Sequence, residues 1–398
     1  MSSVFAWVDF AEEDRRRMAQ VIDLFQEEET RDELGLGVIR DALADLLFPG
    51  TSTIQTRARY FLFVPWIYLR HETRATSGAD VARKARADED KLIVALVQGG
   101  ERPIGAEKRA ALQRPASSVY WAGLAKWRIR RFRGSQEQYH RAWTSLMQRS
   151  REAAPDDDEE PGDAATVAWD PEIPEAPADF LKVSSFSLLR PEAEYLQQRI
   201  LGLGPTLLGH LVGKTKPAED AQFAWTHPEA SAFPERLGHQ LEHARLFSEA
   251  MHGAALLYNL MLAERRKNAK WIDTYRTQFN SWSELLLGHA ETFSAWDRAD
   301  FWSLAEYARA RVTFRTRRFV NDWLDLALTA SKPRNLADDT RALTLVGERE
   351  RELKRSRARL GNPRALERWT GAAGVQPLNY RWPRVRVIVG DILKGLEG

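Results

Sequence analysis

The chain has 398 residues, 43% of them hydrophobic and 29% charged, a composition that suits a globular protein of two or three domains and excludes a single small module. It contains no cysteine, which excludes disulfides, cysteine-ligated zinc, iron–sulfur clusters and thiol catalysis and fits a reducing compartment. The net charge of +2 conceals a segregation: residues 151–179 carry eleven acids against one arginine, so the remainder sits near +12, a basic body that favours a polyanionic partner.

In chain order, residues 4–10 (VFAWVDF) read as a short strand or an extended lead-in, and Asp14 to Gln26 places Met18, Val21, Ile22 and Phe25 at helical spacing. Val38 to Phe48 predicts a helix with Ile39, Leu43, Leu46 and Leu47 facing inward. Phe48-Pro49-Gly50 stops it, Thr51, Ser52 and Thr53 offer N-caps, and the next helix is expected to run through Arg57 and Arg59 until Pro65 kinks or ends it. Tyr60 to Leu69 is apolar on every face, so it requires burial all round, yet it is only about half the ~20 residues that span a bilayer. Ala79 to Gln98 predicts a helix ending at Gly99-Gly100, and Ser117 or Ser118 caps another running to about Phe132.

Residues 151–179, rich in Pro, Asp, Glu and Ala, predict a disordered linker or insertion, in which Trp169 is placed to dock on a neighbouring surface. Helices follow at Pro191 to Leu201, Pro234 to Lys267 with some interruption, Trp271 to Glu291, Asp300 to Leu328 and Arg341 to Leu360. Val385 to Val389 alternates and predicts a strand able to pair with residues 4–10. The expected fold is therefore mainly α, with an N-terminal helical domain (1–150), an acidic Pro-rich linker (151–179), a C-terminal helical domain (180–398) and at most a short β element from the termini. With no long apolar run and acids where a signal peptide would be greasy, a cytoplasmic protein with no membrane partner is expected. Fourteen tryptophans imply large sheltered interfaces.

The densest basic signal is Lys108 to Gln136, with Lys108, Arg109, Arg114, Lys126, Arg128, Arg130, Arg131 and Arg133 and no acid. Trp121, Trp127 and Phe132 are interleaved, which suits phosphate contacts combined with base stacking; the alternative is a helix with aromatics inward and arginines in water. A second patch is Arg309, Arg311, Arg315, Arg317 and Arg318 within the Asp300 to Leu328 helix, where Arg311, Arg315 and Arg318 at i, i+4, i+7 line one face, to follow a phosphate backbone or to pair with acids of the next helix. Arg57 and Arg59 either hold a phosphate at a helix start or pin the lobe through carboxylates such as Asp41 or Asp45. Arg349 to Arg359, alternating with Glu348, Glu350 and Glu352, reads as a solvated, salt-bridged face. His239-Gln240-Leu241-Glu242-His243 matches the inverted zinc-protease pattern; two histidines do not hold a catalytic zinc, and His252, Glu249 and His289 are the nearest third ligands. No nucleotide-binding loop, nucleophile elbow or dinucleotide fingerprint is present, and no cofactor or metal is expected.

FAWVDF (5–10), the segment from Thr30 to Tyr68, SSVYWAGLAKW (117–127) and MHGAALLYNLMLAE (251–264) together resemble a bacterial family of unknown function, DUF6361. The resemblance implies a setting in anti-phage defence islands, near helicase-like and phospholipase-D-like nuclease genes, and transfers no site. The resulting expectation is a non-enzymatic defence subunit that binds nucleic acid, DNA in the first instance, or a partner that handles it, through its arginine patches. The alternatives are a tryptophan-rich scaffold holding a helicase and a nuclease together, and a nuclease or metallohydrolase.

Overall fold

A computed structural model describes residues 32–72, 74–106, 114–152, 168–330 and 332–398. The expected strand at 4–10 and helix at 14–26 lie outside the described residues, as do Lys108 and Arg109. The chain is mainly α, with fifteen α-helices and no sheet among the described residues. It forms two compact units that interleave in sequence: the described residues up to Ala44 join Gly238–Tyr380, and Asp45–Leu237 joins Arg381–Gly398. This differs from the expected linear order of domain, linker and domain.

Helix α1 (Gly37–Leu47) ends before Phe48-Pro49-Gly50, as the turn residues dictate. In the second unit the chain then runs as an irregular segment to α2 (Tyr60–Glu72), so Thr51, Ser52 and Thr53 cap no helix. Pro65 lies inside α2 instead of ending it. An interior proline costs about 3 kcal/mol, whereas each large apolar side chain fully buried contributes about 1.5–3 kcal/mol. Phe61, Leu62, Phe63, Val64, Trp66 and Ile67 are all buried, and their burial outweighs the lost hydrogen bond.

The second unit wraps this helix. α2 packs on α3 (Gly78–Gln98) and α4 (Ala116–Lys126), and α5 (Gln136–Glu152) packs on α3. Phe61 stacks on Trp127 with ring centroids 3.7 Å apart. Residues 168–189, partly inside the expected linker, close the remaining side: Trp169 is fully buried among Tyr68, Trp121 and Tyr139, the Trp66 indole donates to the Pro174 carbonyl, and Phe180 stacks on Phe63. Residues 168–179 are thus packed chain, held by Trp169 and Phe180; residues 153–167 of the linker lie outside the described residues. α6 (Arg190–Leu201) and α7 (Leu207–Lys214) follow, and α15 (Trp382–Glu397) packs on both.

α15 overturns the expected strand at Val385 to Val389. Val385, Ile388, Val389, Ile392 and Leu393 are buried at a helical period, so the alternation over five residues was a fragment of a longer helical stripe. Gly395 fits a close approach, since a Cβ there would lie 2.8 Å from the Cβ atoms of Leu188 and Ala193.

The first unit is built on α8 (Glu235–Arg265), which runs uninterrupted. α9 (Ala269–Gly288), α10 (Ala290–Ala295), α11 (Arg298–Tyr307), α12 (Phe314–Thr329), α13 (Thr340–Lys354) and α14 (Pro363–Glu367) complete its helices. The Trp282 ring lies on Gly253, where any Cβ would sit 2.2 Å from it, and its indole donates to the Glu249 carbonyl at 2.8 Å. The Trp323 indole donates to Ala250 one residue along. Eleven of the thirteen described tryptophans are buried, so the indoles build cores.

Arg349 is buried, donating to the Leu34 carbonyl, the Thr316 hydroxyl and Glu352, and Glu350 is buried under the Tyr258 hydroxyl and the Arg359 and Leu360 amides. Arg349 and Glu350 are therefore core and not part of a solvated face, because Thr316 and Tyr258 supply buried polar partners, whereas Glu348 and Arg351 are exposed as expected.

Two outcomes test the second unit. Arg59→Ala strands the buried Glu192 carboxylate, 2.7 Å from the guanidinium, and is expected to cost about 3–5 kcal/mol in urea unfolding; Arg59→Met with Glu192→Leu recovers most of it. Burial raises Glu89 to about 7, although it accepts from the Ser117 amide. Its unfolded value is near 4.3, so the folded chain holds the extra proton and stability falls as pH rises from about 4.3 to 7. Glu89→Gln keeps an acceptor without charge; it should exceed wild type by up to about 3 kcal/mol at about pH 8 and match it at about pH 4.

Candidate polyanion-binding surface

Arg57 and Arg59 are structural. Arg57 forms a two-point contact with Asp391 (Nε–Oδ2 2.9 Å, NH2–Oδ1 2.9 Å), whose Oδ2 also accepts from the Ala58 amide, and it lies over the Phe186 ring. Arg59 is buried, donating to Glu192 and to the Ser185 carbonyl. The expected partners are engaged elsewhere, Asp41 with Arg40 and Asp45 with Arg381. Neither guanidinium faces a helix N-terminus open to an anion.

The basic segment does not continue as helix to Phe132. α4 stops at Lys126 in a Schellman turn, with Ile129 N–H bonded to Leu124 O, Arg128 N–H to Ala125 O, and Arg128 in the left-handed region (φ 58°). The stop sorts the side chains. Trp127, Ile129 and Arg130 point inward, while Lys126, Arg128, Arg131 and Arg133 are exposed. The Trp127 indole donates to the Pro49 carbonyl and the Trp121 indole to that of Gly134, and Phe132 is half-buried edge-on to Tyr139. The three candidate stacking residues are thus framework, since two are buried and all three pack on neighbouring rings.

Arg130 is buried too. It donates to the Trp121 and Phe132 carbonyls and lies 4.5 Å over the Trp121 ring; burial lowers its pKa to about 10, so it stays charged at neutral pH. Arg131 pairs at 2.8 Å with Asp170, a fully buried carboxylate that also accepts from Arg199 (2.7 Å) and the Tyr195 hydroxyl (2.9 Å). Lys126, Arg128 and Arg133 remain, exposed and with no carboxylate within 4 Å among the described residues. An antiparallel bridge from Arg130 to Trp169 fixes the loop that carries them.

The second arginine row is broken. α11 ends at Tyr307 in another Schellman turn, with Ala310 N–H on Ala305 O and Arg309 at φ 62°, so Arg311 falls between helices while Arg315 and Arg318 lie on α12. Arg315 pairs with Glu352, Arg317 with Glu306 and Arg318 with Asp322, so the charge there is largely answered internally. Arg311 is exposed with no acid partner among the described residues.

His239 and His243 converge with Asp300, a residue no motif pointed to. Their donor atoms lie within 4.8 Å of one another, with Nε2–Oδ2 distances of 3.0 and 3.2 Å. His252 instead contacts the Val375 carbonyl and Glu249 pairs with His289, so neither supplies the third ligand. Glu242, the would-be base, pairs with Arg245. The Trp296 indole, which can only donate, points at His243 Nδ1 at 2.9 Å. A neutral His243 therefore carries its proton on Nε2 and gives it to Asp300, which leaves no lone pair there for a metal. Trp296→Phe releases Nδ1 and permits the other tautomer. A chelator-competition titration is expected to show tighter zinc binding by that variant than by wild type; equal affinity would refute the tautomer assignment.

The family model for DUF6361, described as a family of unknown function, matches residues 1–394. No curated protein and no solved structure matches the chain. With nearly its full length matched, the chain belongs to the DUF6361 family.

Proposed function

We propose that the chain is a non-catalytic, nucleic-acid-binding protein whose contact surface is the loop carrying Lys126, Arg128 and Arg133, with DNA as the expected partner. The observation that carries this reading is the unanswered charge: three exposed cations with no carboxylate within 4 Å among the described residues, on a loop fixed by Trp127, Ile129 and Arg130. Phosphate contacts of this kind release counterions and need no base readout, so binding without sequence preference follows. Arg128 adds to the case. A side chain in the left-handed region costs about 1–2 kcal/mol that glycine would avoid, although a cation at a helix C-terminus recovers some of it. An anti-phage defence system, in which a helicase-like or phospholipase-D-like nuclease protein acts on the same nucleic acid, suits this reading. The scaffold alternative is weakened because the tryptophans it would use are mostly core.

The test is an anisotropy titration of labelled single- and double-stranded DNA at about 50 and 200 mM salt. Lys126, Arg128 and Arg133 are changed together to Glu; Arg130 and Arg131 stay, because one is core and the other holds Asp170. Wild type should bind more weakly at high salt, and the variant should lose affinity with a salt slope shallower by about 3. Equal affinity and slope in a variant with an unchanged circular dichroism spectrum would refute the proposal.

A further inference from the structure

In the first unit, α13 and the return segment 355–362 enclose a cleft of about 530 Å³ with Met261 among its lining residues. That volume is within the range of small-ligand sites. One wall is a single helix face, Thr340, Leu343, Thr344, Gly347, Glu348 and Arg351; the other includes Arg355, Ser356, Leu360 and Asn362.

Three features of the cleft point to an anionic ligand. Arg351 and Arg355 are exposed at it and have no acid partner among the described residues, and residues 351–364 hold six basic residues against one acid. Arg355 has φ 50° and ψ −120°, a backbone conformation that glycine adopts without cost and an arginine does not, so the strain is borne where a guanidinium is presented to the cleft. Gly347 stands in mid-helix, where glycine is unfavourable, yet a Cβ there would make only ordinary contact, 3.7 Å from Met261 and 3.9 Å from Leu360. Packing does not demand the glycine; it leaves the cleft open. The carbonyl end of α13 opposes an anion, which two arginines four residues apart counter.

The remaining lining restricts the ligand further. Glu350 is satisfied by Tyr258 and two backbone amides, while Glu348 is exposed with no ion pair among the described residues and can accept from a sugar hydroxyl. Leu343, Leu360 and Met261 offer apolar contact. We propose that this cleft binds a phosphorylated small molecule of nucleotide size, its phosphate on Arg351 and Arg355 and its sugar hydroxyl toward Glu348. The proposal does not depend on DNA binding at the 126–133 loop.

The experiment compares ATP, AMP and inorganic pyrophosphate by calorimetry and by the shift in Tm that a native-state ligand produces. Wild type should show a saturable Tm rise with a nucleotide and a weaker one with pyrophosphate. Arg355→Gly relieves the backbone, so its unliganded Tm should equal or exceed that of wild type while nucleotide affinity falls at least tenfold. Gly347→Leu fills the cleft without changing charge and should abolish the shift. A wild type unresponsive to millimolar nucleotide, variants that respond as wild type does, or pyrophosphate binding as tightly as nucleotide would each overturn the assignment.

Discussion

The second unit depends on one constraint: a helix with no polar face has to be covered on every side. α2 meets it with α3, α4 and residues 168–189, and many of the polar groups this covering traps find partners, although Thr56 Oγ1, Arg59 Nε and His71 Nδ1 are buried without one. The Tyr120 hydroxyl takes the Thr56 and Arg57 amides and donates to the Arg57 carbonyl, and Arg57 and Arg59 then close on Asp391 and Glu192. Two arginines that look like an anion site in the sequence become the means by which a greasy helix is approached from solvent. A buried ion pair is poor evidence of net stability, but once built it is costly to break on one side only, so these contacts fix register more than they add affinity between elements.

Much of this was legible in the sequence. The apolar run from Tyr60 announced a buried helix, Phe48-Pro49-Gly50 announced the turn before it, and Gly99-Gly100 ended α3 as glycines do. The missed ends of α4 and α11 share a physical cause. α4 and α11 stop at Schellman turns whose left-handed residue is Arg128 or Arg309 instead of glycine, and α8 stops the same way at Lys267. A basic residue there reads as helix surface, and its compensation, a cation beside the last carbonyls, is invisible until the chain has turned.

The candidate sites diverged for a related reason. Charge density in sequence says how many cations a segment has, not how many are already neutralised. Asp170 answers two arginines from across the fold, and Glu352, Glu306 and Asp322 answer the 315–318 cluster. None of the first three is adjacent in sequence to the arginine it meets. The aromatics misled similarly: Trp121 and Trp127 have the spacing of a stacking platform and the burial of a core.

The sequence interleaving of the two units bears on how the chain reaches its fold. Contacts that complete each unit join residues hundreds of positions apart, 334 for Arg57 with Asp391 and 326 for Arg359 with Glu33. Closing longer loops costs little extra at equilibrium, about 0.6 kcal/mol per doubling, but such pairings slow the search. During synthesis α2 can find α3 and α4 early, and Arg57 can meet Glu101 (3.6 Å) early, whereas its two-point partner Asp391 is made near the end. The last helix, which packs on α6 and α7, thus closes the second unit after α2 has already met its cover, and the Arg57–Asp391 pair is among the last contacts of that unit to form.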